Sequence, residues 1–202
     1  MNSTRLWKEF DSWYPAWHAV PGGRLIIPMV LVLLSLLGFW HNLEARVHYP
    51  TRHAVLVERY AAEYDLPPAL LYAVIRTESG FEPDAVSSAG ALGLTQITPE
   101  TFEWLQWKAH ETLPVESLRK PEVSVRYGAM FLHILRKEFG VTETALAAYH
   151  AGRTRVNGWL SSKKYSADGR TLKNIPVPET AHYVRKVMKA YGKYRELYPM
   201  LA

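Results

Sequence analysis

Glu78 is the residue whose type and position most clearly point to chemistry. In "PPALLYAVIRTES", Leu71, Val74, Ile75 and Glu78 follow the spacing i, i+3, i+4 and i+7, which places them on one helix face. A carboxylate that continues a buried stripe is partly desolvated and also meets the negative end of the helix dipole, so we expect its pKa to be raised. Such a group can act as a general acid near neutral pH. The same position also suits a glutamate that turns to solvent or pairs with Arg76.

The stretch that follows Glu78 is built from small residues. In "SSAGALGL" (87–94), Ser, Ala and Gly occupy six of eight positions, so the segment can bury little apolar surface. Small residues allow backbone to approach a ligand closely, and they equally suit a tight crossing between helices. Gln96 then supplies an amide that can both donate and accept hydrogen bonds. The pattern predicts a cleft beside Glu78.

Three blocks of the sequence form a recognisable set: "ESGFEPDAVSSAGALGLTQITP" (78–99), "ALAAYHAG" (145–152) and "IPVPETAHYVRKVM" (175–188). In these motifs and in their order, the chain resembles the lytic transglycosylase (SLT) family. The resemblance covers about residues 51–198. One position departs from the family pattern, because His150 stands where the family usually has asparagine.

The resemblance implies a goose-lysozyme-like helical fold with a long glycan-binding cleft and peptidoglycan as substrate. Glu78 matches the catalytic acid. Four further residues match positions that orient the acid or hold sugar, and we add His150, whose imidazole can replace an amide in hydrogen bonding: the substrate-binding set is Ser87, Gln96, Tyr149, His150 and Tyr183. Aromatic side chains considered for stacking on sugar rings are Phe81, Phe102, Trp104, Trp107, Tyr149, Trp159 and Tyr183.

The reaction implied by the resemblance needs one carboxylate and neither a metal nor an organic cofactor. Cleavage between N-acetylmuramic acid and N-acetylglucosamine would leave 1,6-anhydro-N-acetylmuramic acid ends. Glu82 and Asp84 follow Glu78 closely, but Gly80 and Pro83 interrupt the helix, so we interpret both as solvated loop acids. Two alternatives remain: a hydrolytic muramidase of the same fold, and a non-catalytic scaffold that binds peptidoglycan.

The elements that must position these residues are helices. Apolar periodicity bounded by Pro and Gly predicts helices over 51–65, 67–79, 98–107, 121–139, 141–150, 152–160 and 178–197. Asp168-Gly169 is a turn signal within 161–178 and could close one small hairpin. The predicted fold class is therefore mainly α, a lysozyme-like helical domain with at most a small β-hairpin, preceded by one transmembrane helix.

The N-terminal part predicts a membrane anchor. Residues 25–40 form a run of sixteen without a charge, about 24 Å long as a helix. A cleaved signal peptide would need small residues after the run, and a soluble core helix would show a polar face. Neither feature is present, so we favour an uncleaved anchor. We predict an N-terminal cytoplasmic or interfacial tail (1–24), a transmembrane signal anchor (25–41), a linker (42–50) and an SLT catalytic domain (51–202). Flanking arginines and lysines are nearly balanced, so the expected extracytoplasmic, single-pass placement at the cell membrane follows from the peptidoglycan substrate.

Composition excludes several classes of function. There are no cysteines, and the eight histidines show no ligand spacing such as HExxH, so we expect no metal. Residues 1–150 hold 13 Lys/Arg against 16 Asp/Glu, whereas 151–202 hold 11 against 3. This basic C-terminal quarter suits peptide-stem carboxylates or anionic wall polymers, or is simply solvated. No nucleic-acid-binding motif accompanies the charge, and no protein partner is identified.

Overall fold

The computed structural model describes residues 23–201. The predicted tail 1–24 therefore lies outside the described residues, apart from Gly23 and Arg24. We number the α-helices of the described chain in order. They are α1 (Gly23–His48), α2 (Ala54–Glu63), α3 (Pro68–Glu78), α4 (Pro99–Ala109), α5 (Pro121–Phe139), α6 (Thr142–Ala151), α7 (Arg153–Leu160) and α8 (Pro178–Leu197).

The chain divides between His48 and Tyr49 into two compact units. In the first, Pro28–His48 is a stretch of 21 residues with mean hydropathy 1.3, long and apolar enough to cross a membrane. The described side chains, those of residues 28–40 and 43–48, are not packed into a core, and Leu37 and Trp40 are each 65% exposed. This exposure does not fit a soluble core helix. Helix α1 continues to His48, so most of the segment predicted as a linker is helical.

Helix α3 lies at the centre of the second unit. All seven residues from Ala69 to Ile75 are buried, which explains why the helix is apolar on every side along this stretch. Its most extensive packing is against α8, and α2 covers another side. Helix α6 packs against α5, α7 and α8. The helix that ends in Glu78 is therefore held rigidly by its neighbours.

Prolines and glycines fix the helix limits close to where the sequence places them. Pro68, Pro99, Pro121 and Pro178 each occupy the first helical position, where the missing N–H costs nothing. Gly140 ends α5 with φ 69°, in the left-handed region that glycine adopts easily. The predicted bounds of α5 and α8 coincide with the observed ones.

The segment between α7 and α8 contains a tight turn rather than a regular hairpin. The Asp168 carboxylate accepts hydrogen bonds from the N–H groups of Arg170 and Thr171 at 2.9 and 2.8 Å. A single antiparallel bridge joins Ser166 to Leu172. No strand longer than such isolated bridges occurs in residues 23–201, which agrees with the predicted mainly α class.

Candidate active site

Glu78 is the last residue of α3, where the buried helix reaches the surface. Leu71, Val74 and Ile75 on the same face are buried, while Glu78 itself is half-buried. The hydroxyl of Ser79 donates a hydrogen bond to the Leu94 carbonyl at 2.8 Å and so ties the helix end to the small-residue loop. The carboxyl group is thereby held at the edge of a packed core.

The environment of Glu78 keeps its proton near neutral pH. Burial raises the pKa of this carboxyl from its ordinary 4.5 to about 7. The Tyr183 hydroxyl and the positive charge of Lys186, both on α8, act in the opposite direction and stabilise the ionised form. The balance leaves a group that can both donate and accept a proton at physiological pH.

Tyr183 and Tyr149 lie on two helices that bring their rings close to Glu78. Burial raises the pKa of each phenol well above 10, and the negative charge of Glu78 raises both pKa values further. The Tyr183 hydroxyl is buried without a hydrogen-bond partner of normal geometry, although it lies near enough to lower the pKa of Glu78. Both phenols are therefore neutral beside the carboxyl group, and the Tyr183 hydroxyl retains a proton that it can donate.

Tyr149 is fixed by a buried hydrogen-bond network that sequence analysis missed. Its hydroxyl donates to the Thr95 carbonyl at 2.8 Å. The Thr95 hydroxyl in turn donates to the Ser124 carbonyl at 2.8 Å, and the Thr95 N–H donates to the Ser124 hydroxyl at 3.1 Å. Because Thr95 and Ser124 are fully buried, these bonds fix the loop to α5 and position Tyr149 through it.

His150 occupies the other side of Tyr183. The two rings lie 4.6 Å apart between centroids with a 33° tilt, and His150 Nδ1 lies 3.1 Å from the Thr180 hydroxyl. Burial lowers the pKa of His150 below 6.5, and the charge of Glu179 partly offsets this. The imidazole is therefore neutral at pH 7. It presents one donor and one acceptor, which is what the asparagine amide expected here would offer.

Ser87 lies in the loop and uses its hydroxyl to hold the loop together. The Ser87 Oγ accepts hydrogen bonds from the Ala89 and Ala91 N–H groups at 3.2 and 3.0 Å. The Ser87 N–H also donates to the Ala91 carbonyl at 3.0 Å. The hydroxyl is half-exposed, so it stabilises a turn at the edge of the cleft rather than contacting Glu78 directly.

We predict that Ser87→Ala lowers the free energy of unfolding by about 1–2 kcal/mol, because two N–H groups lose their acceptor. Ser88→Ala is the matched control, since its neighbour Ser88 is exposed and makes no side-chain hydrogen bond among the described residues. Urea unfolding of both variants measures the difference. Equal stabilities would show that the Ser87 hydroxyl has no role in the turn.

Gln96 also binds the loop through one end of its side chain. Its amide nitrogen donates to the carbonyls of Ala85 and Gly93 at 3.0 and 2.9 Å. Its backbone adopts φ 49°, in the left-handed region. The amide oxygen has no protein donor within the described chain and remains available to a ligand. Gln96 and Ser87 thus shape the loop, whereas Tyr149 and Tyr183 lie beside Glu78 and His150 packs against Tyr183.

Two of the aromatic residues that were predicted to stack on sugar rings are buried in the core. Phe81 is 2% exposed and Phe102 is fully buried, so neither ring can stack on a ligand. Phe81 packs against Tyr72 in the core, and Phe102 contacts Tyr127 edge to face. Trp107 is 71% exposed, and Trp104 and Trp159 are half-buried.

A second carboxylate does not accompany Glu78 in the loop. Glu82 and Asp84 are exposed, as their position after the helix predicts. The Asp84 carboxylate forms an ion pair at the surface with the Arg119 guanidinium, at 3.6 Å. In the described part of the chain no three His, Asp or Glu side chains are grouped to hold a metal ion.

A pocket of about 670 Å³ opens between α4, α5 and the junction of α6 with α7. Its lining includes Trp104, Phe131, Arg153 and Arg155. The Phe131 ring lies 4.9 Å from the Tyr149 ring, so the pocket adjoins the Glu78 cluster across these two rings. Its volume suits a ligand of the size of one or two sugar units. Sequence analysis named Trp104 and the block that contains Ala151 and Gly152, but it did not predict the pocket, because the lining residues come from three separate segments.

Comparison with known proteins identifies the family. The Transglycosylase SLT domain matches residues 55–171, more than half of the chain, and the chain belongs to this family. Tyr183 and the third sequence block lie beyond the matched residues.

Two curated relatives and one solved structure illustrate the similarity. The soluble lytic murein transglycosylase of Escherichia coli K12 is 32% identical over 166 residues, which cover 77% of this chain and 24% of the relative. The membrane-bound lytic murein transglycosylase C of Actinobacillus pleuropneumoniae is 32% identical over 162 residues, covering 69% and 44%. An inactive mutant of the lytic transglycosylase Slt from Pseudomonas aeruginosa superposes with TM-score 0.67 and 28% identity, covering 91% of this chain and 32% of that one. The chain thus spans between about a quarter and less than half of the length of these three proteins.

Proposed function

We propose that this chain is a membrane-anchored peptidoglycan lytic transglycosylase in which Glu78 acts as general acid and then as general base. The observation that carries the proposal is the desolvated Glu78, with a pKa of about 7, beside the phenols of Tyr149 and Tyr183 in an SLT domain. The relatives named above are lytic transglycosylases, which supports the same reaction class.

The proposed reaction needs no second carboxylate. The Glu78 carboxylic acid donates its proton to the glycosidic oxygen, and the bond from that oxygen to C1 of N-acetylmuramic acid breaks. The acetamido oxygen of the same sugar attacks C1 and holds the positive charge that develops. The Glu78 carboxylate then removes the proton from the 6-hydroxyl, whose oxygen attacks C1 and closes the 1,6-anhydro ring. The acetamido group leaves C1, and Glu78 recovers its proton.

The residues around Glu78 have separate tasks in this proposal. The neutral hydroxyl of Tyr183 stabilises the carboxylate that forms after the first proton transfer, which a desolvated site would otherwise disfavour. Tyr149 forms one wall, and its ring leads toward the pocket beside Trp104, where the glycan strand would continue. His150 and the Gln96 amide oxygen would hydrogen-bond sugar acetamido groups, and Ser87 would shape the edge of the cleft.

Anchoring is proposed through α1, with the SLT domain extracytoplasmic and the chain crossing the membrane once. The length and hydropathy of Pro28–His48 support the anchor, and the relative from Actinobacillus pleuropneumoniae carries membrane-bound in its name. The extracytoplasmic side is where a peptidoglycan substrate would lie.

Mass analysis of the products tests the proposed reaction against hydrolysis. The full-length chain in detergent, incubated with isolated cell wall, should release muropeptides with anhydro ends, lighter by one water than hydrolytic products. Products with reducing ends only would make the chain a muramidase. Release of no product, with retained binding to the wall, would favour the non-catalytic scaffold.

A further inference from the structure

The C-terminal end of α8 holds the residues with which the chain enters the second unit. The Tyr198 hydroxyl donates to the Tyr49 carbonyl at 2.9 Å, and the Tyr194 hydroxyl donates to the Pro50 carbonyl at 2.9 Å. The rings of Tyr49 and Tyr194 also meet edge to face at 5.5 Å. Tyr49 directly follows His48, the last residue of the candidate membrane helix. In the proposed anchored chain, these residues are the part of the second unit nearest in sequence to the membrane helix.

Two strongly exposed apolar side chains lie within a few residues of these contacts in the sequence. Among large hydrophobic residues of 49–201, Val55 and Met200 have the highest exposure, 81% and 80%. Val55 is six residues after Tyr49, and Met200 is two residues after Tyr198. Their neighbours Val57 and Leu201 are buried, at 0% and 4% exposure, so the backbone that presents Val55 and Met200 is fixed. An apolar side chain held outward on a fixed backbone is placed to enter the boundary between headgroups and acyl chains of a bilayer.

Basic side chains flank the two apolar ones. Arg52 precedes Val55 by three residues, and Arg195 lies on the last turn of α8; both are exposed. Lys193 lies on the same turn, where it pairs with Glu196 at 2.6 Å. Exposed Lys189 continues the charge one turn earlier on α8. Exposed Glu58 lies three residues after Val55, but the cationic groups outnumber it, and cations beside protruding apolar side chains match the anionic headgroups and acyl boundary of a bilayer.

We infer that Arg52, Val55, Arg195 and Met200 form a juxtamembrane surface that docks on anionic phospholipid headgroups. This inference rests on the membrane helix of the proposed function but not on the catalytic reaction. Val55 and Met200 would enter the boundary between headgroups and acyl chains, and the two arginines would contact lipid phosphates. A surface of this kind should respond to lipid charge and to salt.

A single introduced cysteine provides the test, because the chain has none of its own. Full-length Met200→Cys, labelled with an environment-sensitive fluorophore, is reconstituted into phosphatidylcholine vesicles with and without phosphatidylglycerol. We expect blue-shifted emission and quenching by a lipid-borne quencher with phosphatidylglycerol, both reversed by high salt. Ser88→Cys in the exposed loop is the matched control and should show neither change. Combining Met200→Cys with Arg52→Glu and Arg195→Glu should abolish the shift.

The outcomes separate this inference from the proposed function. Emission at position 200 that is unchanged by phosphatidylglycerol, in protein that floats with the vesicles, would overturn the docking surface alone. A shift that requires isolated anionic wall polymer instead of lipid would also overturn it and identify the polymer as the partner. Protein that does not float with vesicles at all would refute the anchor, and docking with it, while product analysis would still report on catalysis.

Discussion

Glu78→Gln should reduce the rate at which the protein cleaves isolated cell wall by about 10²–10⁴-fold, the contribution expected of a general acid–base group. Glutamine has nearly the shape of the protonated carboxylic acid, so the loss would arise from the missing proton and not from altered packing. The measurement is the initial rate of muropeptide release by the full-length chain. Binding to the wall should be retained, because the Tyr149, Tyr183 and His150 side chains are unchanged.

Glu82→Gln is the matched control for this prediction. Glu82 lies four residues away and is an exposed loop acid, so its replacement should leave the rate within a few-fold of the parent. If Glu78→Gln cleaves the wall as fast as Glu82→Gln, the role assigned to Glu78 is wrong.

Stability measured against pH provides a second readout for Glu78 that does not depend on substrate. Between about pH 4.5 and 7 the folded chain keeps a proton that the unfolded chain releases, so this group favours the folded state fully below pH 4.5 and loses that effect as pH rises through 7. A shift from 4.5 to about 7 corresponds to on the order of 3 kcal/mol. Glu78→Gln lacks this dependence. The difference in the free energy of unfolding between variant and parent should therefore move in favour of the variant from pH 5 to pH 8, and a constant difference would mean that the carboxyl group is not desolvated.

The helical framework could be predicted from the sequence because its signals are local. Helices α3, α5 and α8 each begin with a proline at the first helical position. The glycine after α5 adopts the conformation that ends a helix. The position of Glu78 at the end of a buried stripe follows from helical periodicity in the same way. The 3₁₀ helix Val115–Arg119 was not predicted, since five residues are too few to show a period.

The contacts that build the site could be predicted only in part, because they join residues distant in sequence. Thr95 and Ser124 are 29 positions apart, and no pattern indicates that their side chains meet in the core. Phe81 shows a different failure. It follows Glu78 closely and was considered a platform for sugar, but Gly80 and Phe81 both take positive φ values, 62° and 70°, which turn the ring into the core.

The small-residue loop shows why the sequence left two interpretations open. Gly93 adopts φ 77° and packs directly against the protein: an added Cβ would overlap the Leu118 carbonyl and lie 2.8 Å from the Ser124 hydroxyl. Gly90 adopts φ 75°, yet an added Cβ there would meet nothing within 4 Å. Close packing therefore explains why position 93 is glycine, whereas only the backbone conformation explains the glycine at position 90.

Gly93→Ala should consequently be far more destabilising than Gly90→Ala. Both variants place alanine in the left-handed region, at a cost of about 1 kcal/mol each. Gly93→Ala must also displace the backbone of Leu118, and overpacking of this kind adds roughly 1–3 kcal/mol or more. We expect Gly93→Ala to lose about 3 kcal/mol or more in urea unfolding, a large fraction of the 5–15 kcal/mol typical of domains. Gly90→Ala is the matched control for the conformational strain.

The same pair of variants tests how the loop positions the site. Displacing Gly93 moves the carbonyl that accepts a hydrogen bond from the Gln96 amide, and Thr95, which holds the Tyr149 hydroxyl, lies between them. Gly93→Ala should therefore lower the rate of wall cleavage even at temperatures where the variant remains folded, whereas Gly90→Ala should leave the rate nearly unchanged. Equal losses of stability in the two variants would show that the loop yields at Leu118, and the close packing would then have no part in holding Tyr149 beside Glu78.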